Sequence, residues 1–195
     1  MGYDGHLVFT KDLAERDRLS RECYQALVET ARFVEQAGLP VEVVSGGGSG
    51  TYRSAASVSG MTELQAGTYI FSDPTYREGG LDEFDCALTV LSTVISRPDW
   101  PGAEDVAILD VGRKGMAITN GFPAARRPAG EIYSMPQEHS RLRLADPAQP
   151  LCVGDPVELW VRDANCTFNL YDRVYAIRGG LVEAVWDIPG RGKAS

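Results

Sequence analysis

Basic stripes, paired cysteines and long apolar runs are all missing from this sequence, and each absence removes a class of protein. With 27 Asp and Glu against 19 Lys and Arg, the net charge is -8 and the pI is near 4.8. No stripe of Lys and Arg is dense enough to track a phosphate backbone, which disfavours nucleic acid and anionic membrane as partners and favours a small metabolite. No run approaches about 18 apolar residues, and Met1-Gly2-Tyr3-Asp4-Gly5-His6 lacks the charge and apolar core of a signal peptide. The expected compartment is therefore the cytosol. Cys23, Cys86, Cys152 and Cys166 show no paired spacing, which argues against a disulfide framework or a zinc ribbon and reads as buried free thiols. Histidine is scarce too: His6 and His139 are the only two, and either can exchange a proton near neutral pH. What is present is an ordinary globular composition, 195 residues with 44% hydrophobic and 24% charged, long enough for one or two domains with a real core.

The most informative stretch runs from Val41 to Tyr52. Val41-Glu42-Val43-Val44 reads as a strand ending at Ser45, and Gly46-Gly47-Gly48-Ser49-Gly50-Thr51 follows at once. Glycines let the backbone approach an anion closely, and successive N–H groups form a positive concavity that needs no Lys or Arg. That is how a protein holds a phosphate. A flexible linker is the other meaning of such a string, but its place directly on a strand favours the cradle.

In chain order, Thr10 and Asp12 supply an N-cap and a first-turn acid for a long helix. Its apolar stripe is Leu19, Cys23, Ala26, Leu27, Thr30, Phe33, Val34 and Ala37, closed by Gly38 and Pro40. Strand 41–45, the glycine loop, a short helix from about Ser54 to Ser57 and a second strand at Thr68-Tyr69-Ile70-Phe71 give the alternation of a parallel α/β fold. From Cys86 onward, β-branched runs at 87–96, 106–111, 156–161, 173–177 and 181–188 announce an all-β domain, with Arg178-Gly179-Gly180-Leu181 as a hairpin turn. Gly121 to Gln149, rich in proline, reads as a long irregular loop. The boundary is expected in the turn-rich stretch Arg77 to Asp85, giving domains 1–80 and 81–195. Two or three parallel strands with one long helix cannot cover both faces of a parallel sheet. The expectation is a partial barrel whose remaining βα units come from another polypeptide or an upstream segment.

Tyr3-Asp4-Gly5-His6, Val44 through Thr51, Thr62 through Asp73, Cys86-Ala87-Leu88-Thr89-Val90, Glu138-His139 and the end from Asn169-Leu170-Tyr171-Asp172 through Trp186 to Gly192 together resemble the C-terminal half of the D-threonine aldolase and D-serine dehydratase family. The resemblance implies an alanine-racemase-type architecture: the last βα units of a (β/α)8 TIM barrel that binds pyridoxal 5′-phosphate, followed by a β-domain. It implies lyase chemistry on β-hydroxy D-amino acids, by retro-aldol cleavage, dehydration or racemisation. With the uncovered sheet, the expected partner is a complementary N-terminal barrel subunit or segment, giving a heteromer in the first case, in a dimer of such units. Ser45, Gly47, Gly48, Ser49, Tyr69 and Asp73 would hold the cofactor, with Tyr69 reaching in from the next strand. His6 would be the base facing it, while Tyr3 would pack on the ring or fill core and His139 would reach the substrate or hold its loop.

Two departures from the family pattern stand out. The cofactor-bearing lysine of the family lies early in the barrel, whereas this chain has only Lys11, Lys114 and Lys193, and Lys114 matches a structural position of the β-domain. At the metal site the family's His-x-Cys or His-x-Asp becomes Asp163 and Asn165. Oxygen donors of that kind suit manganese or magnesium better than zinc, or the metal is lost. A non-catalytic paralogue serving as a binding or regulatory subunit is the rival reading. Asp110, Asp172 and the Arg126-Arg127 pair are read as turn, strand-end and solvated groups.

Overall fold

The computed structural model describes residues 1–193 and separates into two compact units, Met1–Ala87 and a second beginning at Leu88. In the first unit Asp12 itself caps α1 (Leu13–Gln36), where its carboxylate accepts from the amides of Ala14 at 2.9 Å and Glu15 at 3.0 Å. Those amides have no partner inside the helix, so the cap supplies one. Thr10 lies outside the helix, in the connection from a 3₁₀ turn at Gly5–Leu7. Gly38, at φ 84°, ends α1 as the sequence implies.

The buried line of α1 is Arg16, Ser20, Tyr24 and Val28, one residue over from the expected stripe. Leu19, Cys23, Leu27 and Val34 are only half-buried, and Phe33 is 72% exposed. The inward face is set by hydrogen bonds rather than by hydrophobicity. Arg16 Nη1 donates to Val8 O at 2.8 Å, while Ser20 and Tyr24 donate to Asp4.

β1 (Ser45–Gly46), α2 (Tyr52–Ala56) and β2 (Glu63–Leu64) make a minimal parallel unit, with Ser45 opposite Glu63 and Gly46 opposite Leu64. The strand expected over 41–45 is paired only at its end, because β2 offers two residues. The second strand expected at 68–71 does not form. Thr68–Ile70 is a 3₁₀ turn in which the amides of Phe71 and Ser72 return to Thr68 O, at 3.1 and 2.8 Å. Backbone donors spent locally cannot pair across a sheet, so β-propensity is overridden there. α3 (Pro74–Glu78) follows, capped by Asp73.

The second unit is the all-β domain expected from Cys86 onward. β3 (Thr89–Ser96), β4 (Val106–Leu109), β5 (Ala124–Arg127), β6 (Gly130–Ser134), β7 (Ser140–Leu144) and β8 (Pro156–Trp160) close into an antiparallel barrel in the order β3-β4-β7-β6-β5-β8. Three of these strands occupy the stretch read as irregular loop. Pro123, Pro128 and Pro136 fall just outside strand ends, where no ladder N–H is needed, so their density marks turns. β7 shows the alternation plainly: Ser140, Leu142 and Leu144 face inward, Arg141 and Arg143 outward. Leu142 and Leu159 are fully buried in a core shared with Val94, Leu109, Met116 and Val157. Each leucine contributes about 1.5–3 kcal/mol by leaving water. Outward charges pair across strands: Arg126 binds Glu158 while lying 4.9 Å over the Trp160 ring, and Arg143 lies 4.7 Å over Tyr133. α4 (Ala164–Phe168) leads to a separate hairpin, β9 (Arg173–Arg178) and β10 (Leu181–Asp187). Its turn places Gly179 and Gly180 at φ 58° and 82°, the left-handed values a two-residue hairpin requires.

Candidate functional site

The glycine loop starts where β1 ends, and Val44 through Ser49 are buried. Its left side is pinned to β2 by Gln65 N, which donates to Gly46 O at 3.0 Å and Gly47 O at 3.2 Å. Its right side closes in a turn, Thr51 N donating to Gly48 O at 3.0 Å. Between these pins the amides of Gly47, Gly48, Ser49 and Gly50 donate to no protein acceptor among the described residues. Buried N–H groups are nearly always paired, so these consecutive donors are free for an acceptor from outside the chain, and their convergence is of the kind that holds an anion.

The loop also requires its glycines. Gly47 sits at φ 82°, and a Cβ there would stand 2.9 Å from Ala55 Cβ. A Cβ on Gly48 would stand 2.9 Å from the Tyr3 ring, which therefore lies against the loop. Burial, followed by the nearby Tyr76 and the charge of Asp4, raises the Tyr3 phenol above its ordinary value. Tyr3 is consequently an O–H donor at neutral pH. Ser49 Oγ accepts from Tyr69 N at 2.9 Å, which leaves its own hydrogen to give away. Ser45 Oγ donates to Glu63. The chemistry of this donor set, free amides and hydroxyls along a loop with no room for a Cβ at Gly47 or Gly48, fits a phosphate monoester.

The first unit thus gathers Tyr3, Ser45, Gly47, Gly48, Ser49 and the backbone of Tyr69 around one loop. The Tyr69 ring itself turns away to Phe84, centroid to centroid 5.3 Å, and Tyr69 stands on a turn instead of the expected strand. Asp73 is 2% exposed and accepts from Tyr76 N at 2.9 Å, so it caps α3. His6 is exposed on the 3₁₀ turn that follows Asp4.

Sequence reasoning passed over Asp4, which is 1% exposed. Its carboxylate accepts from Ser20 Oγ at 2.6 Å, Thr51 Oγ1 at 2.9 Å and the Tyr24 hydroxyl. Burial and then the bond to Asp4 push the Tyr24 phenol well up. The available signal was a pair of hydroxyl residues at i and i+4 on the one long helix, facing a lone acid between glycines.

In the second unit His139 is exposed at the start of β7. Asp163 is 7% exposed and caps α4, accepting from Cys166 N at 3.0 Å, while Asn165 is exposed. No three His, Cys, Asp or Glu residues cluster as metal ligands among the described residues. A carboxylate spent on a helix cap beside an exposed amide is a poor donor set, so the expected metal pair does not fit a divalent ion. Lys114 pairs with Glu138 at the edge of a cavity of about 230 Å³, whose wall includes Asp110 and Tyr171. Tyr171 is engaged through its hydroxyl, which donates to Gly115 O at 2.6 Å.

No described helix is long and apolar enough to cross a membrane. Residues 87–177, which contain all six barrel strands, match the family described as "Putative serine dehydratase domain". The D-threonine aldolase of Arthrobacter sp. is 32% identical over 194 residues, covering 97% of this chain and 50% of that protein. The 3-hydroxy-D-aspartate aldolase of Paracoccus denitrificans (strain Pd 1222) is 28% identical, covering 98% and 50%. Among solved structures, D-threonine aldolase from Filomicrobium marinum superposes with a TM-score of 0.89 at 26% identity, over 99% of this chain and 53% of that one. The chain spans about half the length of the relatives it matches. Its sequence and fold make it a member of the D-threonine aldolase and D-serine dehydratase-like family, corresponding to the C-terminal half of those proteins.

Proposed function

We propose that this chain is the phosphate-anchoring half of a pyridoxal 5′-phosphate enzyme acting on β-hydroxy D-amino acids, completed by a lysine-bearing barrel half from an upstream segment or another polypeptide. The observation that carries the proposal is the run of unmet amides from Gly47 to Gly50, of which Gly47, Gly48 and Ser49 are buried residues. Those amides, with the hydroxyls of Ser49 and Tyr3, would hold the phosphate. Pyridoxal phosphate, when bound, supplies an electron sink for the charge left at Cα as a bond to it breaks. The chain's own residues anchor and orient: the loop fixes the phosphate end, and the Tyr3 ring limits water on one side of it. His6 would take the proton of the substrate's β-hydroxyl at an imidazole nitrogen.

Exposure supports the missing half. The parallel pair β1–β2 is only two-stranded, with the edge of β1 met by this chain at a single bond, Gly2 N donating to Ser45 O at 3.0 Å, and Phe33, Val43, Leu64 and Ile70 remain 72%, 55%, 41% and 61% exposed. Those features suit the closing units of a (β/α)8 barrel that await the opening ones. Assembly into a dimer of such completed units, in the cytosol, is part of the same proposal.

Calorimetric titration tests it. Pyridoxal 5′-phosphate should bind the chain with its complementary half far more tightly than pyridoxal does, and D-threonine should then be cleaved. Equal affinity for the two compounds would remove the phosphate anchor, and with it the proposal.

A second reading, a non-catalytic binding or regulatory subunit, is favoured by two observations. Asp163 is spent as a cap, and the first unit's single lysine, Lys11, is exposed. Tight cofactor binding by the assembled halves without any turnover of a β-hydroxy D-amino acid would favour it.

A further inference from the structure

We propose that Asp4 is the positioning residue of the glycine loop: by accepting hydroxyl hydrogens from Tyr24 on one side and Thr51 on the other, its carboxylate holds the loop in the shape that aims its amides at an anion. The inference rests on the phosphate-anchor reading above.

A loop with four glycines loses much backbone freedom when it is ordered, so something must fix both of its ends. Asp4 reaches both. The Tyr24 ring lies against the loop's start, where a Cβ on Gly46 would stand 2.8 Å from Tyr24 Cε1, and the Tyr24 hydroxyl donates to Asp4. At the loop's end Thr51 is held at three points. Its hydroxyl donates to Asp4 at 2.9 Å, its amide donates to Gly48 O at 3.0 Å, and its carbonyl accepts from Ala55 N at 3.1 Å. One carboxylate therefore ties both ends of the cradle to α1.

The chemistry of burial agrees. A carboxylate almost fully removed from water is tolerable only when several donors replace the lost hydration, and three hydroxyls do so here. Anchoring residues 1–6 to α1 needs only Ser20 and Tyr24. The bond from Thr51, 47 residues away in sequence, serves the loop.

The test uses the full chain with its complementary half present, two probes, inorganic phosphate and pyridoxal 5′-phosphate, and two readouts, affinity and amide hydrogen exchange at Gly48 to Thr51. Thr51→Val keeps the shape and loses the hydroxyl. It should weaken both probes about tenfold and speed loop exchange by a similar factor, as loss of one hydrogen bond to a charged group implies. Thr51→Ser, which restores the hydroxyl, should return affinity to within about threefold of the parent. Ser20→Ala removes a donor from the helix side of the same carboxylate and should leave affinity within about twofold. Asp4→Asn should lose at least as much as Thr51→Val. Parental affinity and exchange in Thr51→Val would overturn the proposal, as would equal losses in Thr51→Val and Ser20→Ala. If the parent chain binds neither probe, the anchor reading fails on its own. Exchange in Thr51→Val then still decides: unaltered loop exchange overturns the role of Asp4, and faster exchange sustains it.

Discussion

At the scale of single residues, Gly47 carries the sharpest stability prediction. Ala in its place takes on both a left-handed backbone and a close approach to Ala55, whereas Ala at Gly38, φ 84°, meets open space. Gly47→Ala should cost about 1–2 kcal/mol from the backbone alone, with a further loss from the Ala55 contact, and Gly38→Ala only the former. Urea unfolding of the two variants makes the comparison. Asp110 gives a prediction in pH. Burial opposes its ionisation, but the Thr93 amide at 2.8 Å and the Ser92 hydroxyl at 2.7 Å outweigh it and hold the carboxyl below its ordinary 3.8. A carboxyl depressed on folding stabilises above its unfolded value and loses that contribution as pH falls through the folded one. Asp110→Asn should therefore flatten the acid side of the stability profile below about pH 4, read by thermal unfolding against pH.

Elements show where sequence reading succeeded and where it could not. The end of α1 was legible because Gly38 and Pro40 are punctuation with a mechanism, while its start was read at Thr10, two residues before the true cap; Asp12→Ala should cost about 1 kcal/mol of helix stability, measured by circular dichroism on heating. Its inward face was not legible, since counting apolar residues misses a face chosen by hydrogen bonds from Arg16, Ser20 and Tyr24. The strand expected at 68–71 failed for a related reason. Its residues favour strand, yet the amides of Tyr69, Phe71 and Ser72 are spent on Ser49 and Thr68. Between 121 and 149 the prolines hid the period-2 pattern of Ser140-Arg141-Leu142-Arg143-Leu144. Leu142→Ala, in the closed barrel, should cost about 2–5 kcal/mol in chemical denaturation.

For the whole molecule, the glycine loop drew notice because it follows a strand directly, and among the described residues the amides of Gly47 to Gly50 meet no protein acceptor. Asp4 was out of reach because its partners come from positions 20, 24 and 51, a convergence that only the fold creates. Under the proposed function, the exposed flank of Phe33, Val43 and Ile70 is the surface that a complementary barrel half would cover. Addition of that complement should slow exchange and oxidative labelling at these positions while leaving the closed barrel of the second unit unchanged. The most direct measurement is a two-dimensional amide spectrum of the isotopically labelled chain, with its complementary half present, titrated with pyridoxal 5′-phosphate and then with pyridoxal. The phosphorylated compound should shift the resonances of Gly47 through Thr51 first and furthest, and pyridoxal should leave them in place. Identical responses to both compounds, or shifts confined to the second unit, would contradict the account.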